Sequence, residues 1–217
     1  MDVAVAIKAR HSTRLFLDKP VDRSLIEEVC HLAVQAPSAI NLQPWLLTVV
    51  IGDELARLSR QLLKSFSEKG LACAPEAPSE LPARYLERQK RLAAEMGPAI
   101  KATASPWADF INEGSLSFYG APAAVIVSGE AALAHEGRLD LGLLVGYFLL
   151  ACQEKGLATC PLGLISPYSS VVQEALNIEK DRPVILAVAL GYADSKAPIN
   201  QTWPSRAPQA EVLRWYG

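Results

Sequence analysis

The sequence predicts an α+β fold in a single domain, 1–217. Three observations carry that reading. Short apolar runs with β-branched residues recur along the chain, longer stretches show helical spacing, and the two interleave too irregularly for a regular βαβ series. Half of the 217 residues are hydrophobic, enough for a core without disulfide staples.

Val3 to Arg10 reads as a short helix, followed by the polar loop Arg10-His11-Ser12-Thr13-Arg14. A helix runs from Asp22 or Ser24 to about Gln35. Ser24 and Glu27 have capping-box spacing, and Leu25, Ile26, Val29, Ala33 and Val34 lie on one apolar face. Pro37 ends it. Leu46 to Ile51 reads as a buried strand, and Gly52-Asp53 opens a helix with Leu55, Leu58, Leu62 and Phe66 inward and Gly70 at its end. Prolines 75, 78 and 82 make 71–82 a loop, and Arg84 to Met96 is a charged amphipathic helix. Ala123 to Val127 is a second strand. Asp140 to Lys155 is the most apolar helix, hydrophobic nearly all round, with Gly142 and Gly146 spaced for close helix packing. Thr159 to Gly163 is extended and leads to a helix at Pro167 capped by Ser166, and Val184 to Tyr192 is a third clear strand. Residues 193–217 form a proline-bearing arm with a short helical patch.

A net charge of −2 without charge runs removes the basic footprint of a nucleic-acid or anionic-membrane binder. The longest apolar run, Leu141 to Cys152, is well short of the ~20 residues a membrane span needs. The N-terminus does not read as a signal peptide, and the dispersed Cys30, Cys73, Cys152 and Cys160 read as reduced thiols, so a cytoplasmic location is expected. Phosphate-binding, Rossmann and nucleophile-elbow motifs are absent. His135-Glu136 lacks the second histidine of a zincin, so no metal site is expected.

Two segments exceed the needs of folding. Arg10, His11, Ser12 and Arg14 gather guanidinium and hydroxyl donors suited to a phosphate, although a solvated loop explains them as well. Ala36 to Trp45 (APSAINLQPW) holds Ser38, Asn41 and Gln43 in a loop stiffened by Pro37 and Pro44. Its amides offer donors and acceptors to the edge of a planar heterocycle, while the plain alternative is a helix-to-strand turn with Trp45 in the core.

Together these segments resemble the FMN-dependent nitroreductase family, in its nitrobenzoate-reductase-like branch. The likeness continues through Phe118-Tyr119-Gly120-Ala121-Pro122, Asp140-x-Gly142, Gly156 to Pro161, Gly191-Tyr192-Ala193-Asp194, Ala197 to Asn200, and Arg206. It covers 1–52 and 112–217, leaving 53–111 as a variable helical segment. The resemblance implies a three-layer sandwich: a mixed β-sheet flanked by helices, in an intertwined homodimer that binds FMN at its interface and exchanges its C-terminal arms. It also implies that Arg10, His11, Ser12 and Arg14 bind the phosphate and ribityl chain, with Arg206 returning to the phosphate. Pro37, Ser38, Ala39, Asn41 and Gln43 would cover the flavin across the dimer, and the backbone of Pro161, Leu162 and Gly163 would face flavin N5. Two departures stand out. No glutamate lies near Gly163, and Ser205 replaces a second basic residue beside Arg206. Arg84, Arg88 or Lys90 are the candidates for a cation near flavin N1 and O2.

The implied activity is hydride transfer from NAD(P)H through flavin N5 to an electron-poor small-molecule acceptor such as a nitroaromatic, by a ping-pong sequence. No side chain is assigned as a catalytic acid or base. Reduction of enones or quinones, reductive dehalogenation, and a flavin-binding module without turnover are the alternatives.

Overall fold

We describe the protein from a computed structural model covering residues 1–69, 81–133 and 137–217. Gly70, Cys73, the loop prolines 75 and 78, and His135-Glu136 lie outside the described residues.

Eight α-helices and four strands are described: α1 Val3–Ala9, α2 Arg23–Ala33, β1 Leu46–Ile51, α3 Gly52–Lys69, α4 Ala83–Lys101, α5 Trp107–Leu116, β2 Ala123–Ser128, α6 Gly137–Glu154, β3 Ala158–Leu162, α7 Ser169–Leu176, β4 Val184–Gly191 and α8 Gln209–Val212. The sheet order is β1-β2-β4-β3. Each ladder is antiparallel, so the mixed sheet expected from the resemblance is not what this chain builds by itself. The parallel contact is a single bridge from Ser12 to Thr159.

Strand alternation sorts the core into layers. Val125, Val127, Val188 and Leu190 face one side and pack with Val29 and Ala33 of α2 and Leu144 and Phe148 of α6. Ala124, Ile126, Ala187 and Ala189 face the other side and meet Leu55, Leu58 and Leu62 of α3, Leu116 of α5 and Val172 of α7. Each buried leucine or valine contributes about 1.5–3 kcal/mol relative to exposure. A third, smaller cluster joins Met96, Ala99 and Ile100 of α4 to Ala197 and Ile199 of the arm.

Several local expectations change. β1 is an edge strand, with Val49 and Ile51 exposed, rather than a buried one. The capping box at Ser24 does not form. Asp22 is the N-cap without a side-chain bond, and Arg23 pairs with Glu27 at 3.0 Å instead. Residues Gly163–Tyr168 form a 3-10 turn, and α7 begins at Ser169 without a side-chain cap from Ser166. The helix α6 is not buried all round. Leu139, Leu143 and Tyr147 are exposed on it, and nothing lies within 4 Å of a Cβ built on Gly142 or Gly146, so no helix of the same chain packs there.

Candidate active site

The segment from Ser12 to Leu17 runs along the sheet at the edge strand β3 and the end of β4. Thr13 N donates to Thr159 O at 2.9 Å, Leu17 N to Tyr192 O at 2.8 Å, and Asp194 N to Leu15 O at 3.1 Å. This attachment fixes the backbone that carries Arg10, Ser12 and Arg14. Asn200, which is buried, adds a second fastening. Its Oδ1 accepts from Arg14 N at 2.8 Å, and its Nδ2 donates to Leu15 O at 2.7 Å and Asp194 O at 2.9 Å. The arm is thereby joined to the arginine loop.

Around that frame the polar side chains gather. Burial and then the guanidinium of Arg206 lower the Arg10 pKa, with Cys160 acting in the opposite direction. Burial raises the Cys160 thiol, against the pull of Arg14, Ser12 and Arg10. Tyr119 is pushed up by burial too, opposed by its hydrogen bond with Ser115 and by Arg14. His11 stacks on Trp203 with ring centroids 4.3 Å apart, and its Nε2 is buried with no hydrogen-bond partner among the described residues. A guanidinium that feels the charge of a second one, and an orphaned imidazole nitrogen, fit an anionic group with hydrogen-bonding capacity. The residues present therefore suit the phosphate end of FMN.

The arm that carries Arg206 is held against α4. Glu95 accepts from Ser205 N at 3.1 Å, and Arg88 donates to Glu211 at 2.8 Å. Hydrogen bonds from Ser205, with smaller effects of Arg91 and Arg206, hold the Glu95 carboxyl below the usual range. Arg206 itself donates to Pro204 O at 2.6 Å, which keeps its guanidinium folded back on the arm. Of the three cation candidates, Arg84 and Arg88 border the cavity between α4 and the arm, whereas Lys90 pairs with Glu87 at 3.1 Å on the exposed side of the helix.

The second predicted segment is anchored elsewhere. Pro37, Ala39, Asn41 and Gln43 are exposed and Ser38 is half-buried. Ser38 Oγ accepts from Gln43 N at 3.0 Å, and Gln43 Nε2 donates to Asn41 O at 3.3 Å. Ala39 N donates to both carboxylate oxygens of the buried Asp140, at 3.2 and 3.3 Å. Ile40, Asn41 and Gln43 all have positive φ, so the loop is a strained turn held by α6 rather than a slack connection. It thus hangs from α6, whereas the arginine cluster hangs from β3, β4 and the arm.

At the end of β3, Pro161 is half-buried, Leu162 turns its side chain into the core, and Gly163 is exposed with open space at its Cβ position. A proline is tolerated here because β3 is an edge strand. The residues that sequence reasoning missed are Asn200 and Asp140 as anchors, and Trp203. The readable signals were a lone acid opening the most apolar helix and a tryptophan in a polar arm.

A layered α+β sheet with Arg10 on the loop tied to its β3 edge and Arg206 on the arm held against α4 carries basic groups of the kind that bind phosphorylated cofactors. The model of the Nitroreductase family matches residues 7–192, and the chain belongs to that family. It is 28% identical over 201 residues to a 4-nitrobenzoate reductase of Pseudomonas putida, covering 92% of this chain and 88% of that protein. To nitroreductase NfnB of Mycolicibacterium smegmatis it is 31% identical over 221 residues, covering 96% and 90%. The crystal structure of the FMN- and NADPH-dependent nitroreductase NfnB from sphigopyxis sp. strain HMH superposes with a TM-score of 0.91 at 26% identity, over 100% of both chains. No helix among the described residues is long and apolar enough to cross a membrane.

Proposed function

We propose that this protein is an FMN-dependent oxidoreductase that reduces nitroaromatic compounds with NAD(P)H. The observation that carries the reading is the buried His11 Nε2 without a hydrogen-bond partner among the described residues, on the loop whose Arg10 feels the charge of Arg206. The relatives' names favour a nitro group over an enone, quinone or carbon–halogen bond, and disfavour a flavin carrier without turnover.

When bound, FMN supplies two-electron chemistry, accepting hydride from the nicotinamide donor and delivering it to the acceptor. The protein's own residues bind and orient. Arg10 and Arg206 hold the phosphate, and Ser12 and Arg14 extend the grip toward the ribityl chain. Next to them the backbone at Pro161, Leu162 and Gly163 is free to approach the ring, since Leu162 points its side chain away and Gly163 has none. The loop of Pro37, Ser38, Ala39, Asn41 and Gln43 covers the flavin of a partner subunit, which suits its separate anchorage on α6. Residues up to Val212 stay on their own α4, so arm exchange involves the exposed Leu213, Trp215 and Tyr216 and the open edge of β1. Unpaired thiols suit the reducing cytoplasm as its location.

The test is Arg10→Ala. A charged hydrogen bond to phosphate contributes about 1.5–3 kcal/mol, so FMN affinity falls roughly ten- to a hundredfold and the protein purifies largely colourless. A flavin-to-protein absorbance ratio equal to that of the wild type would overturn the phosphate assignment.

A further inference from the structure

Arg84, Arg88 and Arg91 of α4 recur at the spacing of one helix face, and with Arg206 of the arm they line a cavity of about 360 Å³ that Glu87, paired with Lys90, and Glu95 and Glu211 also border. Like charges stacked three and four residues apart repel one another and cost helix stability. Such a stripe is unremarkable on a face open to water, but this one borders a concavity closed on its far side by the arm. The guanidinium groups are also pre-positioned. Arg84 and Arg88 both stack on the ring of Tyr85, at 4.8 and 5.4 Å from its centroid. Arg88 is committed to Glu211 and pins the arm, whereas among the described residues neither Arg84 nor Arg91 has a carboxylate at ion-pair distance.

We propose that this cavity binds the adenosine-side phosphates of the nicotinamide donor, and that Arg84 and Arg91 read the 2′-phosphate that distinguishes NADPH from NADH. The proposal rests on the oxidoreductase reading above and adds the donor preference to it. About 10 Å of helix separates Arg84 from Arg91, room for more than one anionic group along the stripe. A phosphate monoester offers paired oxygen acceptors that the planar fork of a guanidinium matches, and a second arginine there raises discrimination against a donor that lacks it. Arg10 and Arg206 are assigned to the FMN phosphate in the proposed function, so the two anion sites share the arm, with Arg206 bordering both, but Arg84 and Arg91 belong to this one alone.

The experiment compares flavin-loaded wild type with the double variant Arg84→Ala/Arg91→Ala. Adenosine 2′,5′-bisphosphate and 5′-AMP are titrated calorimetrically, and KM is measured for NADPH, NADH and 4-nitrobenzoate. The expected result is a ten- to hundredfold loss of bisphosphate affinity with 5′-AMP changed by less than twofold. KM for NADPH rises by a similar factor, while KM for NADH stays within twofold. Equal effects on the two nucleotides, or a rise confined to KM for 4-nitrobenzoate, would overturn the assignment. The double lysine variant Arg84→Lys/Arg91→Lys restores part of the bisphosphate affinity if charge is what is read; no restoration overturns it too. Wild-type protein that binds no flavin would sink the oxidoreductase reading, whereas a flavin-loaded enzyme indifferent to these substitutions sinks this inference alone.

Discussion

Asn200 spends its entire side-chain amide on three backbone groups that lie 6 to 186 positions away in sequence. Removing it strands two carbonyls and one N–H in a partly buried setting, where each group left unpaired costs at most about 1–3 kcal/mol. Asn200→Ala is therefore expected to lower the thermal midpoint and to weaken FMN binding at least tenfold, read by titrating the apoprotein with FMN and following flavin fluorescence. The substitution Thr202→Ala, two residues along the arm with its hydroxyl on Pro198 O, leaves FMN affinity within twofold. His11 and Trp203 add an aromatic contact to the same fastening, one that orients the imidazole whose Nε2 has no protein partner among the described residues.

At the scale of elements, the loop before β1 depends on a helix a hundred residues later. Asp140 is the one acid in the first turn of α6, and its carboxylate receives Ala39 N. Asp140→Ala leaves that strained turn without its tie, so faster backbone hydrogen exchange at 38–43 is expected, with the rate at β2 amides unchanged. The elements with strong local signals were legible in the sequence. β1 starts and ends where the LLTVVI run does, β2 and β4 match their apolar runs to within a residue, and α3 keeps Leu55, Leu58 and Leu62 inward. Elements set by tertiary packing were not. The charged helix continues through Pro98 to Lys101 because Met96, Ala99 and Ile100 are buried against the arm. The helix α5 begins after Pro106 without a capping side chain, and its Phe110 is placed by the ring of Tyr119 at 5.6 Å. The site was legible in the same uneven way. Arg10, Ser12 and Arg14 stand out as a polar cluster and Arg206 enters only through the family resemblance, but a buried asparagine that bonds only to backbone leaves no periodic trace.

On the whole molecule, apolar side chains left in water form a surface that suits the second copy proposed above. Leu139, Leu143 and Tyr147 form a stripe on α6 beside the bare Gly142 and Gly146, and Val3, Ile7, Ile40 and Leu42 are exposed as well. We expect a homodimer by light scattering. Leu143→Arg places a charge in that stripe, so it should shift the mass toward the monomer and lower FMN content with it, because the covering loop of the partner is lost. The arrangement also orders events in the life of the chain. The grip on the phosphate needs residues 10–14 and residues 200–206 together, and ribosomes make these stretches at opposite times. On the proposed assignment, a nascent polypeptide with α6 already folded still has half a clasp, and flavin enters only after synthesis has passed Arg206, too late for cofactor supply to guide the earlier steps of folding.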